Sequence, residues 1–208
     1  MTTQSSLTAA LGAAIAVCAA LAACSGHAYA AAPTFTLTSS DLIEGRLPNR
    51  FLLKGFGCSG ENVSPQLAWS NLPAGTQSLA VQMLDLDAPT GSGFWHWAVY
   101  NIPASMTGLP QKAGNDAALL PDTAFGGTTD WLDTGAAGSN GNYGGPCPPV
   151  GDQPHRYVFT VYAIAVTDVA RAAGLPRSAT AALYSFMLNR GLGSAVLGKA
   201  SFTATVGR

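Results

Sequence analysis

The run Arg156-Tyr-Val-Phe-Thr-Val-Tyr-Ala-Ile-Ala-Val166 holds no Gly, Pro, Asn or Asp. It is dense in β-branched and aromatic residues, the composition of a strand covered on both faces. Two further runs have the same character: Ser78–Asp85 (SLAVQMLD), and His96–Ile102 (HWAVYNI), which Pro103 stops. Alternating apolar and polar residues predict strands at Phe35–Ser39 and Ser201–Val206, and a short one near Arg50–Lys54. Helix signals are few. Thr167–Ala173 reads as a short helix ended by Gly174, with Pro176 two residues on, and Ser178 can cap a second helix running through Asn189 to Gly191. Strands outnumber helices and do not alternate with them. That argues against a parallel βαβ sheet and predicts a mainly β fold, an antiparallel sandwich with two short peripheral helices.

Composition narrows the function classes. Of 208 residues 48% are hydrophobic and 10% charged, which excludes a disordered chain. Ten Lys+Arg against eleven Asp+Glu give a net charge of −1, without the basic excess a nucleic-acid binder uses to neutralise phosphates. The 24 Gly and 13 Pro argue against a coiled coil or helix bundle. They gather in residues 44–66 and 104–154, which read mostly as loop. The second stretch is too long to be idle in a compact domain and is taken as functional.

Residues 1–30 contain no Asp, Glu, Lys or Arg, and Leu7 to Cys24 is Ala-rich and almost wholly apolar. This reads as an export signal preceding a domain at 31–208, the alternative being a buried N-terminal helix. Two processing sites compete. Leu21-Ala22-Ala23-Cys24 resembles a lipobox in which Cys24 would be lipidated, and Ala28-Tyr29-Ala30 is a small-x-small cleavage site. The expected location is therefore the periplasm, a lipid anchor in the bacterial envelope, or the exterior, with membrane contact only through that N-terminal lipid. Cys18 lies in the signal, so export leaves Cys58 and Cys147, a lone pair that an oxidising compartment would join as a disulfide. Such a bridge closes a loop of roughly 90 residues and stabilises by about 4 to 5 kcal/mol in the chain-entropy account. Two free thiols are the alternative. A metal site from Cys58, Cys147, His96 and His155 would lack the close ligand pairs of structural zinc sites, so no metal and no cofactor is expected.

Three His occur, and export removes His27. His96 and His155 each begin a strand after a Gly- or Pro-containing turn, and Asp85 and Asp87 stand at the exit of another. Strand ends beside such loops form the mouth of a sandwich. Two acids, two imidazoles and the aromatics Trp95, Trp97, Tyr143 and Tyr157 could line one polar pocket there.

These residues carry a resemblance. Asp85-Leu-Asp87-Ala88-Pro89, then His96-Trp97 and Asn101-Ile102, resembles the ligand-site signature of the phosphatidylethanolamine-binding protein family. Tyr143-Gly-Gly-Pro-Cys-Pro-Pro-Val-Gly151 followed by Pro154-His155-Arg156-Tyr157 resembles that family's Gly-Pro-Pro loop and His-Arg-Tyr strand, and Ser64-Pro65-Gln66-Leu67-Ala68-Trp69 its Ser-Pro-x-Leu-x-Trp element. The similarity runs from about Phe35 to Val206 and is most like the bacterial Raf-kinase-inhibitor-like branch. It implies antiparallel sheets with an anion pocket at one end. Asp85 and Asp87 match the family's paired acids, His96 and His155 the two pocket histidines, and Tyr157 the pocket tyrosine. Cys147-Pro148 falls where the family has a Gly-Pro whose backbone approaches the anion. The sequence runs only briefly past its last strand, so the C-terminal helix that gates the site in eukaryotic members is expected to be missing or displaced. Pro89 is a candidate cis peptide at the mouth.

The expected function is binding, with no catalytic residue: a pocket for a phosphorylated or carboxylated small molecule such as a phospholipid headgroup. Imidazoles supply donors whose charge can rise with a bound anion, and one Asp should be hydrogen-bonded rather than facing the ligand, since an unpaired carboxylate repels it. Two alternatives belong to other classes: an acid–base hydrolase using the His/Asp pair, and an inhibitor of an envelope or secreted protease or kinase. The sequence names no protein partner.

Overall fold

The computed structural model describes residue 1, residues 33–131 and residues 143–208. The segment 1–30 expected to direct export, with its candidate lipobox, Cys18, Cys24 and His27, lies outside the described residues apart from Met1. The strands, in chain order, are β1 (Thr36–Thr38), β2 (Lys54–Gly55), β3 (Cys58–Ser59), β4 (Leu67–Ser70), β5 (Ser78–Asp85), β6 (Phe94–Pro103), β7 (Gly108–Leu109), β8 (Phe125–Gly126), β9 (His155–Ile164) and β10 (Val196–Val206). The helices are α1 (Val169–Ala173) and α2 (Ala181–Phe186).

A five-stranded sheet in the order β10-β9-β5-β6-β8 forms the frame, and every neighbouring pair is antiparallel. Its central strand, β5, is buried along nearly its whole length. Successive side chains point to opposite faces, so Leu79, Val81 and Met83 enter one core while Ala80 faces the other. The first core is closed by a second sheet, β1-β4-β7, through Leu37, Leu67, Trp69 and Leu109. On the opposite face Tyr100, Tyr162 and Ile164 pack against Val169 and Ala170 of α1 and Ala181 and Tyr184 of α2. The expected antiparallel sandwich with two peripheral helices is the observed architecture.

Local chemistry sets the helix ends. The Asp168 carboxylate accepts from the N–H groups of Ala170 and Arg171, and Gly174 ends α1 in the left-handed region at φ 66°. The second helix is capped by Thr180 rather than Ser178, and after Phe186 it passes into a π turn, Met187–Gly191. The stretch near Arg50–Lys54 divides into a 3-10 turn, Asn49–Phe51, and the short β2. Within 104–154 the chain forms the two-residue strands β7 and β8, and Tyr143–Pro146 is buried against the first core.

Candidate functional site

The site lies at one end of the first core, where β5 exits and β9 begins. Asp85 pairs with Tyr157 across the β5–β9 ladder and with Phe94 across the β5–β6 ladder, so all three share a face. His155, two residues before Tyr157, shares that face by strand parity. Gly93 makes the return into β6 possible: its φ is 77°, and a Cβ there would stand 2.7 Å from the Asp85 carbonyl oxygen.

His96 reaches this face through a bulge. Met83 pairs with Trp97 and Leu84 with Trp95, which leaves His96 without an opposite residue on β5. Strict alternation would send His96 away from the face that buries Trp97. The extra residue turns it toward Phe94 and Tyr157, as bulges do beside functional sites.

One wall of the site is acidic. His155 Nδ1–H donates to Asp85 Oδ2 at 2.8 Å, and both side chains are 4% exposed. The other Asp85 oxygen accepts from the Asp87 N–H at 2.9 Å. His155 Nε2 lies 3.4 Å from the half-exposed Asp152 carboxylate. Burial opposes charge on this imidazole, but the hydrogen bonds and attraction of Asp85 and Asp152 outweigh it and raise its pKa above the ordinary histidine value. Tyr157, fully buried between the two imidazoles, has its ionisation pushed up by burial and then by the Asp85 charge.

The other wall is aromatic. His96 Nδ1 lies 2.7 Å from the Gly144 carbonyl oxygen, and Trp131 Nε1 lies 3.2 Å from both atoms. Two lone pairs could not approach to 2.7 Å, so Nδ1 carries a proton and donates it to Gly144, while the indole N–H shares the same acceptor. The backbone adds a second tie, Gly144 N–H to the His96 carbonyl at 3.0 Å. Phe94 and Trp131 rings enclose the imidazole at centroid distances of 5.2 and 5.4 Å. Burial lowers the His96 pKa to about 4, against the smaller raising effects of the Gly144 carbonyl and Asp85, so the ring is neutral near pH 7. Gly144 is required here: a Cβ would stand 2.2 Å from the Trp131 ring.

Between the walls opens a cavity of about 370 Å³. Asp85, His96, His155 and Tyr157 line it, as do Cys147 and Pro148. Cys147 is joined to Cys58 as a disulfide across 89 positions, so neither sulfur is a free thiolate. Asp87 is the predicted site residue that is not brought in. It accepts from Arg156 Nε at 2.9 Å, Nη2 at 2.7 Å and the backbone N–H at 2.8 Å, outside the cavity lining. The Arg156 hydrogen bonds hold its carboxyl down to about 2. Of the aromatics expected at the pocket, only Tyr157 lines it. Trp97 and Tyr143 pack edge to face in the first core, and Trp95 packs against the second. The Pro89 peptide is trans.

The cavity lining adds Phe56, Thr90, Phe94, Trp131 and Arg208 to the residues expected from the sequence. Arg208 donates from Nη2 to the Gly57 carbonyl at 3.1 Å, and its Nη1 lies 3.1 and 3.2 Å from the two disulfide sulfurs. Phe56 and Arg208 belong to none of the motifs, and only the fold brings them to the mouth. Phe94 had a signal, since it stands two residues before His96.

The sequence model of the family described as phosphatidylethanolamine-binding protein matches residues 38–206. The UPF0098 protein YbcL of Escherichia coli K12 is 44% identical over 162 residues, covering 77% of this chain and 82% of that protein. A Mycobacterium tuberculosis protein named as lipoprotein LppC is 38% identical over 125 residues, 60% of this chain and 52% of that one. The crystal structure of E. coli YbcL, described there as a new member of the mammalian PEBP family, superposes with a TM-score of 0.70 at 38% identity, over 84% of this chain and 98% of that one.

Proposed function

The chain belongs to the phosphatidylethanolamine-binding protein family, and from that premise we propose that it is an exported binding protein for a small phosphorylated or carboxylated molecule, phospholipid headgroups among them. The observation that carries this reading is the cavity itself. Its volume of about 370 Å³ suits a small ligand. Its polar end holds His155, whose charge Asp85 and Asp152 favour, and Arg208 supplies a second cation at the rim. Phe56, Pro89, Phe94 and Trp131 supply apolar walls, so the ligand joins an acidic group to an apolar portion.

Phenyl phosphate combines both portions and is the test ligand. At about a hundredfold excess over its Kd it should stabilise the fold by about 2.7 kcal/mol. At roughly 2–4 °C per kcal/mol for a domain of this size, the melting temperature should rise by several degrees. His155→Asn keeps a donor for Asp85 but removes Nε2, and should abolish most of that rise. An undiminished rise in the folded variant would remove the assignment of ligand to this cavity.

Export is supported by three features: the uncharged segment 1–30, a disulfide of the kind oxidising compartments retain, and a relative named as a lipoprotein. Intact mass of the mature chain tests it, through acylation at Cys24 or a start at Ala31. An unprocessed chain in producing cells would count against export.

A further inference from the structure

The polar groups meeting the cavity differ in kind with depth. At the exposed rim Arg208 presents a guanidinium, which can only donate. At the buried end two acceptors face the cavity beside the donors His155 and Tyr157. His96, 3% exposed, commits the proton on Nδ1 to Gly144, which leaves a lone pair on Nε2 that no described residue donates to. Asp85, equally buried, lines the same end as a carboxylate. A fully deprotonated oxyanion placed there would set lone pairs against His96 Nε2 and negative charge against Asp85, with little water to screen either. An oxyacid that keeps one O–H converts the first contact into a hydrogen bond. It also halves the charge of a phosphate group near Asp85 and leaves its anionic oxygen for the rim cation.

We propose that the cavity selects the singly protonated form of its acidic ligand, a phosphate monoester monoanion rather than the dianion, and that His96 Nε2 is the atom that recognises the retained proton. This inference rests on the binding reading above and adds the ionisation state of the ligand to it. The charged or titratable groups packed around His96 are Asp85 from β5, His155 and Tyr157 from β9, and Arg208 beyond β10. Of these His155 has its pKa raised above the ordinary histidine value by Asp85 and Asp152, so a control ligand must report its contribution alone.

Phenyl sulfate is that control. It has the shape of phenyl phosphate and a single negative charge at every working pH, but no O–H. Calorimetric titration of the purified protein with both, from pH 5 to pH 8, separates the two effects. At pH 5 the two ligands carry equal charge, and phenyl phosphate should bind at least about tenfold more tightly, the loss expected for an unmet buried acceptor. Above the second phosphate pKa, near 6, its advantage over phenyl sulfate should fall about tenfold per pH unit. Equal affinities at pH 5, or a ratio that does not change with pH, would overturn the inference while leaving the binding reading intact. If neither ligand binds at any pH, both fall together.

His96→Gln tests the atom. The Gln amide can offer N–H where the imidazole offers a lone pair, so the preference at pH 5 should shrink to about threefold or less. A full preference retained by the folded variant would overturn the role of His96. The wild-type contrast stands if that variant does not fold.

Discussion

His96 and His155 are the same residue type on the same cavity, with Tyr157 between them, yet their walls treat them oppositely. Around His155 two carboxylates favour the proton, while around His96 burial in an aromatic cage favours the neutral ring and outweighs the Gly144 carbonyl, which favours the proton. The contrast shows that the number of histidines in a pocket says little about its charge. What decides it is whether each desolvated ring faces an acid or another ring. One imidazole is biased toward the cation, the other is held as an acceptor with a fixed tautomer.

The largest test of this contrast removes the acid. Asp85→Ala leaves His155 without its main partner in a site that is 4% exposed. Breaking a buried pair in this way costs about 3–5 kcal/mol. Urea denaturation near pH 7 should show that loss, and NMR titration should show the His155 pKa moving down toward the behaviour of His96. A His155 pKa that stays raised would assign the effect to Asp152 instead.

The next effect comes from pH alone, with opposite signs for the two rings. The folded pKa of His96 lies near 4, below the ordinary value of 6.5. The unfolded chain therefore binds more protons between those values, and stability present above pH 6.5 is lost as pH falls toward 4, by about 3 kcal/mol. His155 is raised, so its contribution is complete below pH 6.5 and is lost as pH climbs through its folded pKa. Denaturation series from pH 4 to 9 should show both limbs. His96→Gln should flatten the acid limb and His155→Asn the alkaline one. One variant flattening both would mean that the rings titrate as a single unit.

The smallest effect is expected at Asp87, two residues from Asp85. Its partner Arg156 is 58% exposed and Asp87 itself 30%, so solvent screens the pair. Asp87→Asn should move the melting temperature by about 1 °C or less, and leave phenyl phosphate affinity within about twofold. A larger loss of affinity would return Asp87 to the ligand site.

How much of this could be read from residues alone varies with the physics of each part. Ser78–Asp85 is legible to the residue, because a strand covered on both faces is a nearly continuous apolar run, broken here only by Gln82 between its polar ends. Asp85, His155 and Tyr157 follow from two such strands pairing in register. Leu67–Ser70 was read only as part of a family motif, not as a strand. Four residues in a Pro-rich stretch carry no period, and β4 exists through its partners β1 and β7. Trp97 and Tyr143 were expected at the pocket because aromatic type does not reveal which face a side chain takes. Trp131, Phe56 and Arg208 converge only through long-range packing, which no local pattern encodes.

The unpaired position on β6 also separates framework from chemistry. Were His96 omitted, Phe94, Trp95 and Trp97 would still fall alternately on their present faces, and the register shift between Met83 and Leu84 would close, leaving the one between Leu79 and Val81. The sheet has no need of the residue; the cavity does. A change of one residue in strand length here would therefore alter the lining of the cavity while leaving its scaffold in place, which makes this point, rather than the loops, the economical place to reshape it.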